Sequence, residues 1–404
     1  MHKRHLVYYR LLHPLVVLFL WIRFGYRFKK AKNLPENYIV LSNHTTDYDP
    51  ILVGASFNRQ MYFVASEHIA RWPLAYKFLK HCFAPIIRYK GTTATATVME
   101  MLRAVKAGRN VCMFAEGNRS WDGDTAEIAP ATGKVVKSAR CGLVTYRIEG
   151  GYFVSPRWGK GLRRGRLYGA PVNVYTKEQI ASMSVDEINE VINRDLHEDA
   201  YARQLEAPAK YKGKNPAEQL ESLLFVCPGC CGVDTMHSQG DTVTCSNCSA
   251  TFRYNEYGML EGAPYKTVKE FAAWQREMVK EAAKAGDSYS APDGRLVTVS
   301  QSVESLVAEG PVTLDRENFS CGEHHIPIEE ILDLEMHGRR ALVFSTKDAY
   351  YELKPSEEVS AVKFKLLYEA YKAQWAKNSG TAASGREKAA CADPEKKKQE
   401  KQSM

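Results

Sequence analysis

Four strand-like apolar runs punctuate the first half of the chain: Tyr38–Leu41, Gln60–Val64, Val111–Phe114 and Leu143–Ile148. Between and after them, Ile51–Ser56, Leu74–Cys82, Thr95–Ala107 and Lys134–Arg140 have helical patterns. Such alternation predicts an α/β domain with a mixed or parallel sheet, its active groups at strand ends. Residues 177–206 read as helix with a charged surface, and Ala207–Pro216 as a linker. A second helix is predicted over Thr267–Lys284, where Val268, Phe271, Trp274 and Val279 recur at helical spacing and belong to a core. Short β-like runs begin at Arg295, at 296–299, 311–314, 326–328, 331–336, 341–345 and 349–353, and a last helix covers Val359–Trp375. Residues 377–404 are poor in apolar side chains and read as a disordered tail.

Composition adds little until charge is located. The 404 residues, 45% hydrophobic, suffice for two or three domains. The net charge is +8, and residues 1–32 alone hold eight Lys or Arg and no carboxylate. Basicity confined to one end fits a membrane surface better than a nucleic acid. The same end carries Leu15–Ile22, an apolar run of eight that includes Trp21, with Tyr8, Tyr9 and Tyr26 around it. That run is short against the roughly 20 residues a bilayer requires, and no small-residue cleavage site comes after it. Residues 1–32 are therefore expected to form a basic interfacial helix, bent near Pro14, on the cytoplasmic face of a membrane, peripheral or monotopic.

Of ten cysteines, four fall in Cys227-Pro-Gly-Cys230 and Cys245-Ser-Asn-Cys248, with fourteen residues between the pairs. Two such knuckles offer four thiolates to a tetrahedral Zn2+, so a structural zinc ribbon is expected over residues 223–262. From Leu223 to Leu260 there is one base, Arg253, against Asp234, Asp241 and Glu256. Phosphate neutralisation needs several cations, so the ribbon is expected to brace the fold or meet a protein, not nucleic acid. Cys321 and His324-His325 read as a turn before a strand.

The chemistry-bearing stretch is Leu41–Pro50, LSNHTTDYDP. His44 falls in a strand-to-helix loop, and a carboxylate on one ring nitrogen would fix its tautomer and strengthen the other as a base. No serine or cysteine nucleophile accompanies it. Taken alone, the spacing also fits a loop histidine followed by Asp49 as helix cap and Pro50 at the first turn. A second block, Phe114–Ser120, FAEGNRS, comes after an apolar strand. Gly117 allows close backbone approach, and the Arg119 guanidinium can grip two phosphate oxygens. Gly133-Lys134 lacks the glycine and hydroxyl of a P-loop, which excludes that nucleotide motif.

Together the two blocks resemble those of the glycerophospholipid acyltransferases, which include lysophosphatidic acid acyltransferases. Asn43, His44 and Asp49 match the first; Phe114, Glu116, Gly117, Arg119 and Ser120 match the third. Ala84-Pro85-Ile86-Ile87-Arg88 resembles the weaker second block, with Arg88 as its arginine. Ala115, Asn118 and the stretch Leu143–Arg147 depart from the family pattern, which leaves room for a different acceptor or a non-catalytic lipid-binding scaffold. The resemblance implies transfer of an acyl group from acyl-CoA or acyl carrier protein to a lysophospholipid hydroxyl, most simply lysophosphatidic acid to phosphatidic acid. It assigns base catalysis to His44 and Asp49 and acceptor binding to Arg88, Glu116, Gly117, Arg119 and Ser120. No catalytic cofactor is expected.

The expected organisation is an α/β acyltransferase domain with a mixed sheet (33–206) behind the basic helix. After it come a linker (207–222), the zinc ribbon and a mainly-β module (263–376) closed by a C-terminal helix. The hairpins of that module resemble pleckstrin-homology or GRAM barrels, and ribbon or barrel could take a protein partner.

Overall fold

The computed structural model describes residues 3–66, 69, 73–88, 95–300 and 303–378. It divides into two compact units, Met1–Pro216 and Ala217–Met404.

The first unit opens with α1 (Lys3–Phe24), β1 (Arg27–Phe28), β2 (Tyr38–Ser42), α2 (Asp49–Ala55) and β3 (Met61–Ser66). Next come α3 (Pro73–Cys82), β4 (Ile86–Arg88), α4 (Thr95–Lys106), β5 (Asn110–Phe114) and α5 (Ala131–Ala139). It closes with β6 (Gly142–Glu149), α6 (Gly151–Val154), β7 (Tyr168–Tyr175), α7 (Lys177–Ser182), α8 (Val185–Leu196) and α9 (Ala200–Glu206). Seven strands form one mixed sheet in the order β1-β7-β6-β2-β5-β3-β4. The run from β6 to β4 is parallel; β7 lies antiparallel to β6.

The central strand β2 is buried along its whole length, which is why it reads as an unbroken apolar run. Ile39 and Leu41 face a core with Met101 and Val105 of α4, Val136 of α5, and Ile188 and Ile192 of α8. On the other face Tyr38 and Tyr146 pack on Phe57, just past α2. The charged stretch 177–206 is three helices; capping boxes at Thr176 and Ser184 start the first two separately.

Helix α1 is longer than the apolar run within it, 22 residues, and is long and apolar enough to cross a membrane. Its polar residues account for the extra length. Tyr9 donates its hydroxyl to Gly54 O and Phe57 O, His13 meets Ala55 O at 3.1 Å, and His5 meets the Tyr62 hydroxyl at 3.0 Å. Leu20 and Phe24 are buried, while Val7, Leu11, Leu15, Leu18, Trp21 and Ile22 stay exposed.

The expected linker is not free chain. Arg164 and Lys212 exchange main-chain hydrogen bonds of 2.8 and 2.9 Å, and buried Tyr211 packs on Phe153. Leu220–Ser222 form a 3-10 turn. An aromatic side chain with a pocket to fill overrides the polar composition around it.

The second unit holds β8 (Met236–Gln239), β9 (Thr242–Cys245), β10 (Thr251–Tyr254) and β11 (Leu260–Glu261), an antiparallel sheet of its own. Helix α10 (Val268–Ala285) buries Val268, Phe271 and Val279 as expected, while Trp274 is half-buried. Then come β12 (Tyr289–Ala291), β13 (Gly294–Ser300), β14 (Val303–Glu309), β15 (Val312–Leu314), β16 (Asn318–Cys321) and β17 (His324–Pro327). β18 (Asp333–His337), β19 (Ala341–Ser345), β20 (Tyr350–Pro355) and α11 (Ala361–Asn378) complete it. β12, β15, β16 and β17 form one sheet, and β14, β13, β20, β19 and β18 another. Cys321 pairs with His324 across the β16–β17 hairpin. The ribbon is tied to α10: Gln275 accepts the Phe225 and Val226 N–H groups and donates to Leu223 O. The expected tail lies outside the described residues from position 379 onward.

Candidate active site

Parallel pairing of Ser42 with Phe114 brings the loops after β2 and β5 side by side at the carboxyl edge of the sheet. Asn43 sets the first loop. Its Nδ2 donates to Ile148 O at 2.9 Å and its Oδ1 accepts Ile148 N–H at 2.8 Å, so the side chain extends the strand ladder into β6.

His44 Nδ1 lies 2.8 Å from Asp49 Oδ2, and its ring stacks on Phe114 at 4.5 Å. Asp49 is wholly buried, whereas the His44 side chain keeps 20% exposure. The Asp49 carboxylate also accepts Thr45 N–H at 2.6 Å, Thr46 N–H at 3.0 Å and the Thr46 hydroxyl at 2.7 Å. The carboxylate oxygens accept from every group around them, so Nδ1–H is the donor to Oδ2 and Nε2 presents a lone pair. Asp49 is not the cap of α2. The helix begins at Asp49 itself, and the carboxylate turns back toward the threonines.

The second loop holds His44 by its main chain. Glu116 Oε1 accepts the His44 N–H at 2.6 Å, and Ser120 N–H donates to His44 O at 3.0 Å. Glu116 Oε2 accepts the Ala126 N–H at 2.7 Å, so both oxygens are engaged by backbone. The residue is half-buried overall, yet its carboxyl is enclosed. Burial pushes its pKa up to about 8, and the two N–H bonds recover only part of that shift. Gly117, at φ +72°, makes the turn that aims Glu116 inward. Arg119 donates to Thr45 O, to Ser155 O and to Asp47 Oδ2 at 2.7 Å. The Ser120 hydroxyl donates to Asp124 O and accepts Gly123 N–H.

Residues 25–149 match the family model described as Acyltransferase. A 1-acyl-sn-glycerol-3-phosphate acyltransferase of Streptococcus pneumoniae is 28% identical over 197 residues, 46% of this chain and 70% of that protein. The N-terminal unit carries an acyltransferase-family domain. Among solved structures, the 1-acyl-sn-glycerophosphate (LPA) acyltransferase of Thermotoga maritima is 17% identical, with a TM-score of 0.42 over 49% of this chain and 80% of that one. The N-terminal PH domain of human ARAP2 is 16% identical, with a TM-score of 0.19 over 26% of this chain and 96% of that one.

Within the acyltransferase domain, His44, Asp49, Glu116, Gly117, Arg119 and Ser120 come together. Arg88 stands apart. It ends β4 at the same sheet edge, three strands from β2 or about 14 Å by strand spacing. Its buried Nη1 has no hydrogen-bond partner among the described residues. Sequence reasoning passed over Thr45 and Thr46, Phe114 as a ring platform, and Asp47 and Ser155, which hold Arg119. The two threonines between His44 and Asp49 are the available signal.

In the second unit, Cys227, Cys230, Cys245 and Cys248 place all four Sγ atoms within 4.8 Å of one another.

Proposed function

We propose that the protein is a membrane-surface O-acyltransferase that moves a fatty acyl group from acyl-CoA or acyl carrier protein to a lysophospholipid hydroxyl. Lysophosphatidic acid giving phosphatidic acid is the favoured reaction. The observation that carries the proposal is the 2.8 Å contact of His44 Nδ1 with buried Asp49, which leaves Nε2 as the basic atom at the sheet edge. Nε2 takes the proton of the acceptor hydroxyl as its oxygen attacks the thioester carbonyl. The tetrahedral adduct collapses, the C–S bond breaks, and the proton passes from imidazolium to the departing thiolate. No acyl-enzyme is required. Base catalysis of this kind contributes about 10²- to 10⁴-fold.

Arg88 is the residue assigned to the acceptor phosphate, because a buried guanidinium nitrogen without a partner among the described residues calls for an anion. Arg119 is already bonded to three acceptors, and we assign it first to holding the two loops together. Glu116, engaged by two main-chain N–H groups, positions His44. We assign the site to the cytoplasmic face of a membrane; the exposed apolar side chains of α1 support the membrane contact.

The test is turnover by the purified full chain on vesicles, with acyl thioester and lysophosphatidic acid, followed by lipid mass spectrometry. Phosphatidic acid is expected, and folded His44→Ala should lose at least about a hundredfold. No acylated product over a panel of donors and acceptors, or full activity in His44→Ala, overturns the proposal.

A further inference from the structure

The first knuckle does more than gather thiols. Cys227 and Cys248 Sγ lie 3.6 Å apart, and Cys230 and Cys245 Sγ 3.7 Å. Those separations are far above a disulfide bond of about 2.05 Å and close to the roughly 3.8 Å edge of a tetrahedron with 2.3 Å zinc–sulfur bonds. The knuckles repeat one turn: Cys231 N–H donates to Cys227 O and Ser249 N–H to Cys245 O. Residues 231 and 249 both adopt left-handed backbone, at φ 57° and 59°.

The chain leaving the first knuckle returns to its root. Cys227 N–H donates to Gly232 O at 2.9 Å, and Asp234 N–H to Phe225 O at 2.8 Å. This places the Asp234 carboxylate. Its Oδ1 accepts Ser360 N–H at 3.0 Å, just before α11, and its Oδ2 pairs with the Lys363 ammonium. Lys363 is buried; it also donates to Ser290 O in β12 and lies 5.0 Å from the centroid of the Phe364 ring. The Ser360 hydroxyl donates to Ser222 O, ahead of the same knuckle. The counter-ion of a buried lysine in the closing helix thus sits on the cysteine loop.

We infer that Cys227, Cys230, Cys245 and Cys248 bind one zinc ion, and that this ion, through Asp234 and Lys363, holds α11 and β12, making ribbon and barrel one metal-dependent unit. Without the ion the loop loses its cross-link and Asp234 its fixed place. Lys363 is then a buried charge that has lost its counter-ion, a strongly destabilising state.

The experiment is metal analysis of the full chain, then hydrogen exchange with zinc bound and after chelation. One zinc per chain is expected. Chelation should speed exchange in residues 361–372 and 289–291 by on the order of a hundredfold, leaving β2 and β5 unchanged. Asp234→Asn is the second arm: zinc content should stay at one per chain while the same segments lose protection. Absence of zinc, or iron in its place, overturns the site. Unchanged protection of α11 on chelation, or in Asp234→Asn, overturns the coupling.

Discussion

Glu116 Oε1 accepts the main-chain N–H of His44 at 2.6 Å, across 72 positions of sequence. One carboxyl thereby joins the loop that bears the base to the loop after β5. Ser120 closes the same junction from the other side through His44 O. The imidazole is held at its ring by Asp49 and at its backbone by Glu116 and Ser120. Productive geometry of this kind tolerates little displacement, since an error of about 1 Å in a reacting group can cost about a hundredfold.

Glu116→Ala leaves the His44 and Ala126 N–H groups without their acceptor and frees the loop. Its effect should fall on kcat, by about tenfold to a hundredfold, with KM for the acceptor little changed. Steady-state kinetics on vesicles check this. A raised acceptor KM at unchanged kcat would instead assign Glu116 to the headgroup.

Glu116 also gives the N-terminal unit a pH signature. Burial raises its pKa from 4.5 to about 8, so the folded chain keeps a proton that the unfolded chain releases. The linked stability is fully present below pH 4.5, declines as pH rises, and is gone above about pH 8. Within that window the slope approaches about 1.4 kcal/mol per pH unit. Exchange of the β2 and β5 amides between about pH 5 and 9, corrected for intrinsic rates, measures it. Glu116→Gln cannot titrate and should be flatter by that slope; parallel profiles would remove Glu116 as the cause.

Much of this arrangement was legible in the chain because burial leaves a plain trace. β2 and β6 are enclosed nearly throughout and appear as unbroken apolar runs; β4, three residues at the sheet edge, and β7, with Pro171 and Asn173 inside it, do not. Strand β14 is exposed along most of its length and carries glutamates, so no periodicity marked it. His44, Asp49 and Glu116 stood out by residue type and spacing. What spacing cannot convey is where main-chain N–H groups point. For that reason the spacing of Asp49, taken alone, also fits a helix cap, and neither its bonds to the Thr45 and Thr46 N–H groups nor that of Glu116 to Ala126 N–H can be read from the chain.

Asp49→Asn separates charge from geometry. An Asn oxygen at the Oδ2 position can still accept His44 Nδ1–H and the Thr45 and Thr46 N–H groups, while its amide faces the Thr46 hydroxyl. Tautomer and ring orientation survive. The negative charge that stabilises the imidazolium is lost, so kcat should fall by about 10²- to 10⁴-fold at unchanged acceptor KM. Near-normal turnover would deny Asp49 an electrostatic role.

The exposed side of α1 supplies the last prediction. Tyr9, His13, Leu20 and Phe24 fasten one side of the helix to the body of the unit, and Leu11, Leu15, Leu18, Trp21 and Ile22 remain outside. Arg23, Arg27, Lys29, Lys30 and Lys32 come next with no intervening carboxylate. Apolar side chains beside cations suit the boundary of an anionic bilayer, where each deeply inserted Leu or Trp gains about 1.5–3 kcal/mol. Leu18→Glu with Trp21→Glu removes two such groups and sets charges against the acyl region. Binding to vesicles containing anionic lipid should weaken by at least about a hundredfold, measured by sedimentation. Turnover of a short-chain, water-soluble acceptor should be unchanged, because neither side chain touches His44, Asp49 or Glu116 and both already face outward. Retained vesicle binding would locate the membrane contact elsewhere on the chain, whereas loss of soluble turnover as well would make α1 part of the fold that supports the site.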